Sequence, residues 1–417
     1  MKTSWRKRWA ALPCIAVAVA LAATGCSSDD NDSGSSSVDE SVLGTPNKAT
    51  GAPVTILLPT AGPKAATHTQ EIEAANAAVS YLNEYRGGIN GHPIQLEVCE
   101  DQLQVSLARE CANKAVASGA VAVVAGDPSN PDAITNVTSP AGLSFLVNTG
   151  GGQPTLSLPN THVLSNSIAG LLGIPAYYAQ KKDIKKVAIL AIDAPIATGP
   201  LKALGPLVFG NAGAQMDLIT VPPGTADMTP QVQAALKNGD GAFHILGDVP
   251  FCTSALKAMQ TLNADKPVTT VSQCVGTPED AKQLPGGYAG ITMSVSHDLD
   301  PAAEDTKIFE AALEKYDATG AEDGVSAYMS VLAFQRALDG MPGEVNRKTV
   351  AARLNAMPEP VKTPLYGDAS FQCGTKPISI APNICQASAL AGELKEDGTI
   401  SNTETLDLAP LFKMPSA

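Results

Sequence analysis

The chain has 417 residues, 44% of them hydrophobic and 4% aromatic, with 41 acidic against 28 basic residues and a formal net charge of −13. That length suffices for two domains. The acidic balance disfavours nucleic acid and anionic lipid surfaces as partners, but it does not constrain a small ligand, because the charge of a cleft need not follow the net charge.

Residues 1–25 read as an export signal rather than as fold. Lys2, Arg6, Lys7 and Arg8 form a basic leader, and residues 9–23 an apolar stretch too short to span a bilayer comfortably. Ala23-Thr24-Gly25-Cys26 then resembles a lipobox, with Ala23 where leucine is usual. Cleavage before Cys26 would leave a thiol for diacylglyceryl attachment. The alternatives are cleavage nearby in an ordinary secreted protein, or an uncleaved anchor. Residues 27–50 are rich in Ser, Asp, Asn and Gly and lack aromatics, so they bury too little apolar surface to offset their chain entropy. Residues 26–51 are therefore expected to be a lipidated cysteine and a flexible tether. No later segment is apolar enough for a membrane span, so anchoring at one end only is expected.

The body opens with an apolar strand over residues 54–58. Ile72, Ala75, Val79 and Leu82 then fall on one face of a helix, which Gly87-Gly88 is expected to stop. A turn through Asn90 and Gly91 leads into a strand over 94–98. Val105, Ala108, Ala112, Ala115 and Val116 mark the inward face of a second helix, and the run 121–124 a strand ending at Gly126. Further strands are expected over 144–147, 187–192, 216–221, 242–246, 268–271 and 290–293, with helices around 200–209, 230–237 and 253–262. Apolar strands without alternation, separated by helices, indicate parallel sheets covered on both faces, in two blocks. Beyond Ser296 the pattern is mostly helical, around Ile308 to Tyr316, Tyr328 to Leu338, and 349–357.

Of the eight cysteines, Cys14 leaves with the leader and Cys26 is the lipidation candidate. The other six allow fifteen pairings, and sequence proximity favours Cys99 with Cys111, Cys252 with Cys274 and Cys373 with Cys385. No metal site is expected, because no close Cys-x-x-Cys or Cys/His pair exists. Catalysis has little support. The five histidines, at 68, 92, 162, 244 and 297, are scattered, and neither Gly-x-Ser-x-Gly nor His-Glu-x-x-His is present. His244, in an apolar strand, reads as a buried structural residue.

The ordered series EIEAANAAVSYLNEYRGGINGHPIQLEVCEDQ, ARECANKAV and AVAVVAG resembles the first lobe of the type I periplasmic binding proteins, in the leucine/isoleucine/valine-binding branch that serves ABC importers. The resemblance covers residues 53–412. It implies an α/β architecture of two doubly wound, Rossmann-like lobes joined by three hinge crossings, near Ile168, Ser296 and Pro364. The first lobe would comprise 52–168 plus 297–363, and the second 169–296 plus 364–417.

In open α/β sheets ligands bind outside the carboxyl ends of the strands. The first-lobe candidates are accordingly Ser129 and Asn130 after one strand, and Asn148, Thr149 and Gly150 after the next. In amino-acid-binding relatives, a serine on the first turn and a backbone-plus-threonine pair on the second hold the α-carboxylate and α-amine. Ser129 matches that serine and Gly150 the backbone position, whereas Gly152 stands where the threonine would be. The Gly150–Gly152 run lacks the Lys-Ser/Thr of a phosphate loop. Second-lobe candidates are Asp193, Asp248 and Gln273, with Asp248 either holding an ammonium or merely capping the helix that follows. Tyr328, matching a tyrosine near the family's hinge, reads more simply as core. The resemblance implies a monomeric solute-binding lipoprotein on the extracytoplasmic face of the cell membrane, without cofactor or enzymatic activity. It would capture an amino acid or related small polar molecule or carboxylate for the membrane permease of an ABC importer. The alternative is a sensory receptor of the same fold feeding a signalling partner.

Overall fold

The computed structural model describes residues 40–63, 70–166, 168–298 and 300–414; the leader, Cys14, Cys26 and His68 lie outside them. Two parallel sheets organise the chain. In the first, β1 (Val54–Thr60), β2 (Ile94–Glu100), β3 (Ala122–Ala125), β4 (Ser144–Val147) and β5 (Thr161–Val163) run in the order β2-β1-β3-β4-β5. In the second, β6 (Lys186–Ile192), β7 (Gln215–Val221), β8 (Ala242–Leu246), β9 (Val268–Thr270) and β10 (Thr292–Val295) are extended by an antiparallel hairpin, β13 (Ser388–Leu394) and β14 (Ile400–Asp407). Its order is β14-β13-β10-β9-β8-β6-β7. A small antiparallel ribbon, β11 (Val361–Lys362) with β12 (Ser370–Phe371), lies between β10 and β13 in sequence.

The first sheet shows why its strands are apolar at every position. Ile56 and Leu58 enter one core while Leu57, between them, enters the other. Val124 and Leu146 follow the first pair; Val123, Phe145 and Val147 follow Leu57. Both faces are therefore covered, by α1 (Glu71–Tyr85) and α11 (Val325–Leu338) on one side and by α2 (Val105–Ser118) and α3 (Pro131–Thr138) on the other. At roughly 25 cal/mol per Å² of apolar surface, such burial is the main term opposing chain entropy. The remaining helices are α4 (Gln153–Ser157), α5 (Ile174–Lys181), α6 (Pro195–Asn211), α7 (Thr229–Lys237), α8 (Val249–Thr261), α9 (Pro278–Ala281), α10 (Glu304–Lys315) and α12 (Arg347–Asn355). α10, α11 and α12 pack on the first sheet and its helices, so the chain crosses back after β10. Among the described residues no helix is long and apolar enough to cross a membrane.

The glycine stop works as anticipated. α1 ends at Tyr85, Gly87 and Gly88 take φ of +71° and +64°, and the Gly88 amide donates to the Leu82 carbonyl at 2.8 Å. Tyr328 is fully buried, edge-to-face with Phe309 at 4.7 Å between ring centres, as a core residue. His244 is fully buried too, its Nδ1 2.8 Å from Thr269 Oγ1, and burial pulls its pKa down to about 4.

One expectation shifts. The chain does not return to the second sheet at Pro364. Residues 371–385 stay on the β5 edge of the first sheet: Val163 bridges Ile384, and the Asn383 side chain donates to the carbonyls of Thr155 (2.9 Å) and Leu158 (2.8 Å). The chain joins the second sheet only at β13. The physical reason is the Cys373–Cys385 disulfide, buried in the first core, which folds this excursion back on itself. The Cys99–Cys111 and Cys252–Cys274 bonds are also present. Each closes a short loop and stabilises the fold by about 3 kcal/mol on the chain-entropy account.

The Arg336 guanidinium on α11 forks onto Asp305 of α10 at 2.8 and 3.3 Å and also reaches the Lys362 carbonyl at 3.2 Å. Burial pushes the Asp305 carboxyl up, but the bonds and charge of Arg336 outweigh it and hold the pKa below its usual value. A depressed carboxylate contributes stability above its unfolded pKa and loses it as pH falls through the folded one. Arg336→Met is expected to lower unfolding free energy by about 2 kcal/mol at neutral pH. Chemical denaturation should show that difference shrinking below about pH 4, the ordinary carboxylate range.

Candidate functional site

The carboxyl ends of β1, β3 and β4 are held together by two carboxylates, one buried and one half-buried. Glu71, at the start of α1, is almost fully buried; it accepts from Thr60 Oγ1 at 2.7 Å and from the Asp127 amide at 2.8 Å. Asp127 in turn accepts from Thr149 Oγ1 and from Ser326 Oγ of α11 at 2.5 Å. Gly126 permits this convergence, because a Cβ there would lie 2.2 Å from Glu71 Oε1 and 2.6 Å from the Ala327 nitrogen. His297, on the segment leaving β10, has its pKa lowered by burial, with Asp127 and Asp298 opposing.

In front of this cluster lies a cleft of about 1130 Å³. One wall is built from the loops after β3 and β4 and from the start of α2. The other comes from Ile168 and Leu171 on the crossing segment and from Pro200 and Leu204 on α6. Ser129, Asn130 and Gly150 line it. The Ser129 hydroxyl is 2.8 Å from both carboxylate oxygens of Asp101, a residue with no exposed surface. Its hydrogen is therefore committed to Asp101, and its oxygen accepts from Asn130 Nδ2 at 3.0 Å.

The other first-lobe candidates lie behind the wall. Asn148 is buried, its carbonyl accepting from the Ser165 amide and hydroxyl at 2.9 and 2.6 Å, while its Nδ2 has no partner among the described residues. Thr149 is tied to Asp127. Across the cleft, Asp193, Asp248 and Gln273 follow β6, β8 and β9 at one edge of the second sheet, but none lines the cavity. The Asp193 amide donates to the Val221 carbonyl at 2.8 Å, and its side chain is exposed. Asp248 Oδ1 caps α8, accepting from the Phe251 amide at 3.0 Å. Gln273 is exposed, its Oε1 3.4 Å from Ser272 Oγ.

Sequence reasoning missed Arg109 and turned Val105 inward, whereas Val105 is exposed and α2 presents both to the cleft one helical turn apart. The available signal was position: α2 starts at the carboxyl edge of the sheet, so its first turns face the ligand side. His162 lies within 4.8 Å of Cys373 and Cys385, but those sulfurs are bonded to each other and offer no thiolates; burial lowers the His162 pKa to about 4.

The glycine at 152 has a local cause. Asp132 accepts from the Gly152 amide at 3.0 Å, the Thr155 amide at 3.2 Å and Thr155 Oγ1 at 2.6 Å, gathering the start of α4. A Cβ at 152 would lie 2.6 Å from Asp132 Oδ2. Asp132→Ala and Gly152→Thr should each cost about 1–2 kcal/mol. In a double-mutant cycle followed by thermal unfolding, the pair should cost less than the sum, because removing the carboxylate makes room for threonine.

The profile of the family described as "Periplasmic binding protein" matches residues 53–380. An ABC transporter substrate-binding protein from Sphaerobacter thermophilus superposes with a TM-score of 0.64 at 17% identity, over 86% of this chain and 100% of that one. The branched-chain amino acid transporter substrate-binding protein LivJ from Streptococcus pneumoniae, in complex with isoleucine, gives 0.60 at 18% identity over 85% and 99%. A solute-binding protein of an ABC transporter from R. palustris, in complex with 4-hydroxybenzoate, gives 0.61 at 16% identity over 86% and 98%. No curated protein matches the chain. These likenesses share the two-lobed α/β fold, and the profile match over most of the sequence settles membership: the chain belongs to the periplasmic binding protein family, whose members bind solutes rather than transform them.

Proposed function

We propose that this chain is the extracytoplasmic solute-binding lipoprotein of an ABC importer. It is held to the membrane through Cys26 and captures an amino acid or a related small polar molecule or carboxylate between its lobes. The observation that carries the reading is the cleft of about 1130 Å³ between loops at the carboxyl edge of the first sheet, where open α/β sheets bind ligands, and α6, the helix that follows β6 of the second. The first lobe, 52–168 with the helices after 297, meets the ligand through Ser129, Asn130 and Gly150, with Asn148 and Thr149 as support. Hinge closure then brings Asp193, Asp248 and Gln273 of the second lobe to it. The closed form is the one a permease recognises, which requires the ligand to favour closure by contacts made only there. The protein acts as a monomer.

Saturation with the right solute at a hundred times its Kd should stabilise the protein by about 2.7 kcal/mol, read as a rise in Tm, with a smaller radius of gyration by X-ray scattering. Turnover of that solute by the purified protein would sink the receptor reading. Cys26→Ser should move the protein from the membrane fraction to the soluble extracytoplasmic fraction; retention in the membrane would contradict lipid anchoring.

A further inference from the structure

We infer that the cleft is built for an apolar monocarboxylate without an α-ammonium group, with Arg109 as the partner of its carboxylate; this rests on the receptor reading above. Two charged residues line the cleft, Arg109 and Asp132. Asp132 already accepts three hydrogen bonds from Gly152 and Thr155, so its charge is used inside the first lobe. Asp101 has no exposed surface and holds the Ser129 hydroxyl. Arg109, by contrast, makes no hydrogen bond or ion pair among the described residues. Among the described residues lining the cleft, the charged group without a partner is therefore a cation, and the one carboxylate there, Asp132, keeps a single open lone pair, on Oδ2. A cation enclosed on closure without a counter-charge carries a heavy desolvation cost.

The rest of the lining fixes the ligand's body. Val105, Leu156, Ile168, Leu171, Leu204 and Ile380 present apolar side chains from both walls. Val105 is 49% exposed, unusual for a valine, and lies one helical turn before Arg109 on α2. A ligand with its carboxylate on Arg109 lays its hydrocarbon part against Val105. A lone guanidinium suits a monoanion, because its planar fork pairs with one carboxylate, whereas a phosphate dianion would call for further cations.

Isothermal titration with three molecules of one skeleton tests this: 3-phenylpropanoate, phenylalanine and 3-phenylpropanamide, extended to matched cyclohexyl and straight-chain sets. Carboxylates without the amine should bind tightest, with the amino acids weaker by roughly tenfold or more. Arg109→Gln should weaken the carboxylates about tenfold and leave the amides unchanged. Arg109 is exposed and unpaired, so this variant should keep the wild-type Tm. Amino acids that bind as tightly as the deaminated acids would overturn the inference and leave the receptor reading standing. So would carboxylate affinity indifferent to Arg109→Gln. If no member of any set binds, the inference falls, while the receptor reading stands or falls separately on a solute-induced rise in Tm.

Discussion

A parallel strand has no face it can leave wet. Each must be covered above and below, and here the covering helices arrive in alternation with the strands, as the division of Ile56, Leu57 and Leu58 between two cores shows. With both faces sealed, the part of each sheet left for recognition is the edge where strands give way to loops. Loops at that edge of the first sheet, faced by α6 and the crossing segment, make the cleft. The site follows from the covering requirement.

The edge must also be firm. Its loops are pinned by carboxylates that face inward: Glu71 to Thr60 and Asp127, Asp127 to Thr149 and Ser326, Asp101 to Ser129, Asp132 to Gly152 and Thr155. Charge-assisted bonds of this kind are stronger than neutral ones and hold geometry well. Their number has a further effect. Acidic groups that already accept bonds from the protein's own backbone and hydroxyls are engaged before a ligand arrives, so an acidic protein can still leave a cation as the unpartnered charge in its cleft.

The strands and most helices were legible in the sequence because both-face burial writes unbroken apolar runs, and helices write a 3.6-residue period. The Gly87-Gly88 stop was legible because positive φ has few tenants. The excursion over residues 371–385 was not, since its placement depends on long-range pairing with β5 and on a disulfide rather than on local pattern. At the site, the turns holding Ser129 and Gly150 could be found from strand ends alone. Asp132 as the reason for Gly152, and Arg109 as an open cation, could not, because each depends on which neighbour has already taken a side chain's bonds. The same limit hides the helix cap of Asp248: its bond to Phe251 is a fact of the fold, invisible in composition.

The Cys99–Cys111 bond joins β2 to the middle of α2, the helix that carries Arg109. The guanidinium is thus mounted on a scaffold bolted to the sheet before any solute arrives, and little entropy remains to be lost when an anion docks. It also makes the receptor's grip answerable to its surroundings. Reduction of that bond would return freedom to the helix, and the proposed carboxylate contact would weaken with no change in the cleft's chemistry.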